Sequence, residues 1–83
     1  MKEERVGEVI KYFAKVGVAA INLENELCVG DTVHIKGHTT DFKQVVDSMQ
    51  IENELVNKAK AKDSIGIKVV ERVRPNDFVY KVE

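Results

Sequence analysis

The feature of this sequence that most constrains its fold is a series of short stretches rich in β-branched residues, separated by turn signals at nearly regular spacing. Such stretches are typical of strands, and their spacing favours a small antiparallel barrel. Strands are predicted over residues 6–13, 16–21, 31–36, 42–52, 64–73 and 78–82. The sequence therefore predicts an all-β fold, a closed or nearly closed antiparallel barrel of six strands.

Alternation along these strands predicts the core. In the segment 31–36, Val33 and Ile35 fall on one face and His34 on the other. Between Val45 and Val46 the apolar residues change faces, which indicates a bulge or bend. Residues 53–62 have rough helical spacing, although a single turn or an irregular loop fits this short, uncapped segment equally well. The residues predicted to lie inside the barrel are Val33, Ile35, Ile65, Ile67 and Val69.

Size and charge narrow the classes of protein that fit. Eighty-three residues are enough for one domain, over residues 1–83. The 13 basic and 14 acidic residues give a net charge of −1, whereas a protein that coats nucleic acid without specificity usually has a clear basic excess. Binding through a local basic patch is still compatible with this balance.

Cysteine content and hydropathy bear on location. Cys28 is the only cysteine, so no internal disulfide can form, and a buried, unreactive thiol is expected. The first residues lack the apolar stretch of a signal peptide, and no apolar run approaches the length of a membrane span. We therefore expect a cytoplasmic protein without a membrane partner.

Three turn motifs occur in the order found in a known family. The segment Leu27–Gly37 resembles the L-x-V-G-D-x-V-x-I-x-G stretch of the second domain of elongation factor Tu and its relatives among the translation GTPases. Residues 59–66 are similar to the family's A-x-x-G-D-x-V-G, and residues 73–80 to its last turn. Residues 34–50 resemble small stand-alone elongation-factor-like proteins, and also the barrel appended to some peptidase-like RNA-hydroxylating enzymes.

The chain departs from the translation-factor pattern at two lysines. Lys62 stands where that family has glycine, which indicates either a less extreme backbone angle or a strained turn. Lys58 stands where elongation factor Tu has an acidic residue that contacts aminoacyl-tRNA, so that contact is not carried over. The chain also lacks a glycine-rich phosphate loop ending in Gly-Lys, so no nucleotide is expected.

Five cations form the candidate binding patch. Lys58, Lys60 and Lys62 alternate with alanines, so an extended backbone would place three ammonium groups on one face. These lysines fit an RNA-binding edge, and they also fit a solvated turn that protects a sheet edge from pairing. Arg72 and Arg74 would extend the patch if they lie on the same side.

The segment 37–41 is a second candidate for binding. His38, Thr39 and Thr40 offer an imidazole and two hydroxyls, which fit either a partner-binding loop or the capping of a turn. His34 and His38 would lie about 13 Å apart on an extended strand, too far to share one metal ion. No metal site, catalytic residue or cofactor is predicted.

These features predict a non-enzymatic binding module. Its expected partner is structured RNA (tRNA or rRNA) or a protein of the translation or RNA-modification machinery. The alternative, from the second resemblance, is an accessory subunit that docks by protein contacts onto a separate enzyme, such as a peptidase-like RNA-hydroxylating enzyme.

Overall fold

The structure is a computed structural model, which describes residues 3–82. Those residues form ten strands and no helix, and therefore no helix that could cross a membrane. The strands are β1 (Glu3–Phe13), β2 (Val18–Leu23), β3 (Leu27–Cys28), β4 (Thr32–Lys36), β5 (Asp41–Val45), β6 (Met49–Ile51), β7 (Glu54–Val56), β8 (Lys58–Ala59), β9 (Ser64–Lys68) and β10 (Phe78–Val82).

Eight of the strands form one antiparallel sheet in the order β5-β4-β10-β1-β2-β9-β6-β7, and β3 pairs with β8 in a second, two-stranded sheet. The all-β antiparallel prediction is confirmed. The closed six-stranded barrel is wrong, because β5 and β7 are free ends of the large sheet and do not pair with each other. A side chain of β5 connects this edge with the end of β9 instead. Gln44 Nε2 donates to the Lys68 carbonyl, and Gln44 Oε1 accepts from the Val70 amide, both at 2.8 Å.

The core is mainly aliphatic, and the strands of the large sheet bury one face against it. All five predicted core residues are buried, none more than 8% exposed. Met49 is also fully buried, and Phe42 is the one buried phenylalanine. The core is completed by apolar residues of the remaining strands and loops, among them Val6, Val9, Ile21, Leu27, Val46, Val73 and Val79.

The predicted strand 64–73 is shorter, as β9, and the predicted strand 16–21 begins later, as β2; two further segments differ more. The predicted strand 42–52 is divided into β5 and β6, and the break begins at Val46, where a bend was predicted. Val46 turns inward there and exchanges backbone hydrogen bonds with Gly30 and Asp31. The segment 53–62 contains β7 and β8 rather than a helix. The segment is not helical because the backbone of β7 pairs with β6 and the backbone of β8 pairs with β3.

The turn at Lys62 is strained. Lys62 has φ = 77°, in the left-handed region that glycine occupies without penalty. Of the two alternatives left open by the sequence, the strained turn is the one observed. The turn is held by pairing with β2, because the Lys62 amide donates to the Leu23 carbonyl and the Leu23 amide to the Asp63 carbonyl, each at 2.9 Å.

Candidate docking groove

An apolar groove lies on the outer face of the large sheet. It has a volume of about 380 Å³ and lies between two hairpin ends. One wall is the end of the β1–β2 hairpin, with Phe13 43% and Val16 61% exposed. The opposite wall is the β6–β7 turn at Glu52 and Asn53. Exposed apolar side chains on the wall of a depression make this face a candidate contact site.

The groove exists because its floor is made of small residues. Ala20 on β2 and Gly66 on β9 are directly opposite each other in the sheet. Gln50 on β6 is opposite Gly66 on the other side. A Cβ atom at Gly66 would already lie 3.3 Å from Val18 Cγ1, so larger residues here would fill the depression. Outward-facing small residues between two taller hairpins therefore produce the groove.

The rim of the groove carries charges of opposite sign on opposite sides. Lys11 is opposite Ala20, and its Nζ atom lies 5.0 Å from the centre of the Phe13 ring. Lys68 is opposite Val18. Glu52 lies on the other wall. This mixed rim suits a polypeptide with its own complementary charges better than a uniformly anionic polymer.

The three predicted lysines lie elsewhere, near the β3–β8 sheet. Lys58 Nζ forms an ion pair with Glu26 Oε2 at 3.1 Å, which raises the pKa of Lys58. Lys60 lines a shallow depression together with Lys58 and Glu26, and Lys62 is exposed in its strained turn. Part of the predicted positive charge is therefore neutralised locally.

The two predicted arginines lie in the loop between β9 and β10. Arg72 and Arg74 are both exposed. The loop packs on β1, because the Val9 amide donates to the Asp77 carbonyl at 2.8 Å. Within residues 3–82, no hydrogen bond or ion pair connects these arginines with the three lysines. A binding role for the five cations stays a prediction.

The loop 37–41 contains both exposed and buried side chains. His38 and Thr39 are exposed, whereas Thr40 is buried and its carbonyl accepts the Gly37 amide at 2.7 Å. Thr40 therefore takes part in the turn, and His38 and Thr39 remain accessible. No group of three or more His, Cys, Asp or Glu side chains suited to a metal ion occurs in the described part of the chain.

A charged cluster on the outer face ties three strands together. His34 on β4 contacts Glu3 of β1 through Nδ1 at 2.7 Å and Asp41 of β5 through Nε2. Lys36 contacts the other oxygen of Glu3 at 3.2 Å. The hydrogen bond to Asp41, reinforced by Glu3, raises the pKa of His34 above its ordinary value, although partial burial opposes the shift. The same contact with His34 lowers the pKa of Glu3.

We expect the stability of the chain to fall as the pH rises through the raised pKa of His34. Both ring nitrogens can donate only when the ring is protonated, so the contribution is complete below the unfolded pKa of about 6.5 and is lost above the folded one. Urea unfolding between pH 6 and pH 9 measures this. The His34→Gln variant should show a smaller fall than the native chain, and the His38→Gln variant, altered at the other histidine, should match the native chain. Equal slopes for all three proteins would contradict this role of His34.

Comparison with known proteins relates the chain to a protease and to collagenases. The chain is 42% identical, over 76 residues, to an uncharacterized protease of Methanocaldococcus jannaschii. It is 41% identical, over 80 residues, to a collagenase of Porphyromonas gingivalis. These matches cover 90% and 94% of the chain but only 19% and 22% of the relatives, so the chain spans about a fifth of their length. No family model matches the chain.

Solved structures agree with this relationship. The C-terminal domain of a putative U32 peptidase of Geobacillus thermoleovorans superposes with a TM-score of 0.90 at 24% identity, covering 96% of this chain and 93% of that domain. Its selenomethionine variant gives a TM-score of 0.87. The fold is that of a U32 peptidase C-terminal domain.

These findings correct three expectations. The assignment to the second domain of translation GTPases is wrong, because the relatives and the matching fold belong to U32 peptidases and collagenases. The description as a translation-factor-like, RNA-binding protein is wrong for the same reason. The expectation of a non-enzymatic protein is also wrong as a description of the family, since the relatives are named as a protease and as collagenases.

Sequence reasoning missed the groove residues. Phe13 ends β1, as predicted, but its exposure was not foreseen, and Val16 lies in the turn of residues 14–17 rather than in the predicted strand 16–21. Gly17, with φ = 67°, was the available signal for a turn immediately after Val16. The apparent helical spacing of residues 53–62 gave no indication that Leu55 would be exposed on an edge strand.

Proposed function

We propose that this chain is an accessory domain of a U32 peptidase-like enzyme, and that it docks onto the larger part of that enzyme through the groove between the β1–β2 and β6–β7 hairpins. This larger part is the body of the enzyme. Docking by protein contacts is the alternative that the sequence predicted, and RNA binding plays no part in it.

The observation that carries the proposal is the extent of the sequence matches. Nearly the whole chain, 90–94%, aligns with about a fifth of a protease and of a collagenase. A unit with its own core that recurs as a small part of larger enzymes is the usual form of an accessory domain. What the relatives act on, including the substrate implied by the name collagenase, belongs to those proteins.

The chemistry of the groove supports protein contact. Phe13 and Val16 provide exposed apolar surface, and aromatic anchors typically dominate binding energy at interfaces. Lys11 and Glu52 lie on opposite sides of the groove, which fixes the orientation of a partner of complementary charge. Interfaces between domains of one protein commonly have this partly apolar, partly charged character.

We expect Phe13→Ala and Val16→Ser to weaken docking. Each removes apolar surface from one wall of the groove, and loss of a central anchor typically weakens binding about tenfold or more. The measurement is calorimetric titration of this chain into the body of the P. gingivalis collagenase, produced without the segment that the chain matches.

The matched control is Val45→Ser. Val45 is also exposed, at 48%, but lies on β5 at the other end of the large sheet. It should bind as the native chain does, and thermal melts should show that all three variants remain folded. Absence of binding by the native chain at about 100 μM, or equal weakening by Val45→Ser, would contradict the proposal.

A further inference from the structure

The edge strand β7 has Leu55 at its centre, and the backbone groups of this residue are open to a further strand. Glu52 and Asn53 have φ values of 51° and 68°, typical of the type I′ turn of a two-residue hairpin. In such a hairpin Ile51 and Glu54 exchange both backbone hydrogen bonds, and pairing alternates along the strands. The next pair, Gln50 and Leu55, is therefore a non-hydrogen-bonded pair. The Leu55 N–H and C=O groups consequently point away from β6, toward the open edge.

The side chain of Leu55 is exposed as well. It is 73% exposed, the highest value among the large apolar residues described. The opposite edge strand, β5, has Lys43 at its centre, the usual protection against unwanted pairing. The centre of β7 has a leucine instead. A lysine at the centre of an edge strand opposes pairing with a further strand and a leucine does not, so the two edges of this sheet differ in how readily they pair.

Leu55 is also continuous with the groove. One row of directly paired residues crosses the strands β7, β6, β9 and β2. Its members, in that order, are Leu55, Gln50, Gly66 and Ala20. A strand added beside β7 would extend this row by one residue, next to the wall formed by Glu52 and Asn53. The free edge and the groove therefore form one surface.

We propose that the body of the peptidase-like enzyme docks by strand addition: an extended segment of the body pairs with β7 through the Leu55 N–H and C=O groups. This inference rests on the proposed function and specifies its contact. The segment would carry an apolar side chain opposite Leu55 and a basic residue near Glu52 and Glu54, because these are the apolar and acidic groups that the edge presents.

A second copy of this chain is a poorer occupant. Pairing of two β7 strands would involve three residues from each copy. Specific, stable interfaces bury about 1,200–2,000 Å² in total, far more than a contact of this length provides. A larger partner can cover both the edge and the groove, and so bury more surface than two β7 strands can.

The test separates the backbone contact from the side-chain contact. Leu55→Pro removes the N–H that points to the open edge, and proline is tolerated on edge strands because no internal hydrogen bond is lost. Leu55→Ala keeps the N–H and removes only the side chain. In titrations against the collagenase body, we expect Leu55→Pro to bind about tenfold more weakly than Leu55→Ala, since the partner's carbonyl loses its donor.

Amide exchange of the unmodified chain provides an independent measurement. On adding the body to isotope-labelled chain, the Leu55 amide should exchange at least about tenfold more slowly, whereas Glu54 and Val56, already bonded to β6, should change little. Protection of residues 13–18 without protection of Leu55 would overturn strand addition and leave groove docking intact. Protection of neither, together with no binding in the titration, would overturn the proposed function itself. Equal binding by the two Leu55 variants would also overturn strand addition.

Discussion

Ile67→Ala is expected to reduce the free energy of unfolding by about 2–5 kcal/mol, the range for deleting a buried isoleucine side chain beyond Cβ. Ile67 is 1% exposed and lies on β9, opposite Ala19 of β2 and Met49 of β6. A cavity at this position is bordered by strands on both sides, so it cannot be closed by movement of a loop. Domains of this size have only about 5–15 kcal/mol of stability, so the loss is a large share of the total.

Guanidinium unfolding with linear extrapolation measures this loss, with the slope checked to be unchanged between variants. Leu55→Ala is the control for the isolated chain, because its side chain is 73% exposed and its removal should change stability by less than about 0.5 kcal/mol. A similarly small loss for Ile67→Ala would show that β9 does not lie over the core.

The core was predictable because it depends on a local pattern. Alternation places Val33 and Ile35, and likewise Ile65 and Ile67, on one face of each strand, and a strand with one buried face keeps this register whatever its neighbours are. The number and closure of strands depend instead on long-range pairing. Whether β5 pairs with another strand or is connected to residues 68–70 only through the side-chain amide of Gln44 is decided by residues 24 to 26 positions away in the sequence, and no local signal reports it.

The same reasoning explains why the turn motifs were misleading about family. Gly30-Asp31 and Lys62-Asp63 each lead into a strand through a residue of positive φ, which is a requirement of the turn rather than of any one function. In both turns the aspartate accepts a backbone amide three residues earlier: Asp31 from Cys28 at 2.9 Å, and Asp63 from Lys60 at 3.0 Å. Motifs with such a purely conformational cause recur in unrelated small β proteins.

The groove could not be predicted from the sequence because it depends on two hairpins that are distant in the chain. Phe13 and Asn53 face each other across Ala20 and Gly66 only after β2, β9 and β6 have paired. The five cations, in contrast, were prominent in the sequence but lie on separate parts of the molecule. Lys58 and Arg72 illustrate the separation: the first pairs with Glu26 beside β3, and the second is in the β9–β10 loop. Proximity in sequence was a poor guide to proximity on the surface.

Gly37→Ala is expected to destabilise the chain by about 1–3 kcal/mol, the usual cost of overpacking. Glycine is not needed at position 37 for its backbone angle, because the φ of Gly37 is not in the left-handed region. Its role is to leave space: a Cβ atom there would overlap the carboxyl group of Asp77. Asp77 is 4% exposed and is fixed by three hydrogen bonds, accepting the Arg74 amide on its side chain and pairing through its backbone with Arg74 and Val9. It therefore cannot move aside without losing contacts.

A double-mutant cycle tests this explanation with unfolding free energies. Asp77→Ala removes the group that the new methyl would meet, so Gly37→Ala should cost much less in the Asp77→Ala background than in the native chain. Gly66→Ala is the matched control, because its Cβ would meet only a Val18 methyl at 3.3 Å and should cost less than Gly37→Ala. If the losses at positions 37 and 77 were simply additive, the clash would not be the cause, and the requirement for glycine would have to lie in the backbone of the 37–40 turn.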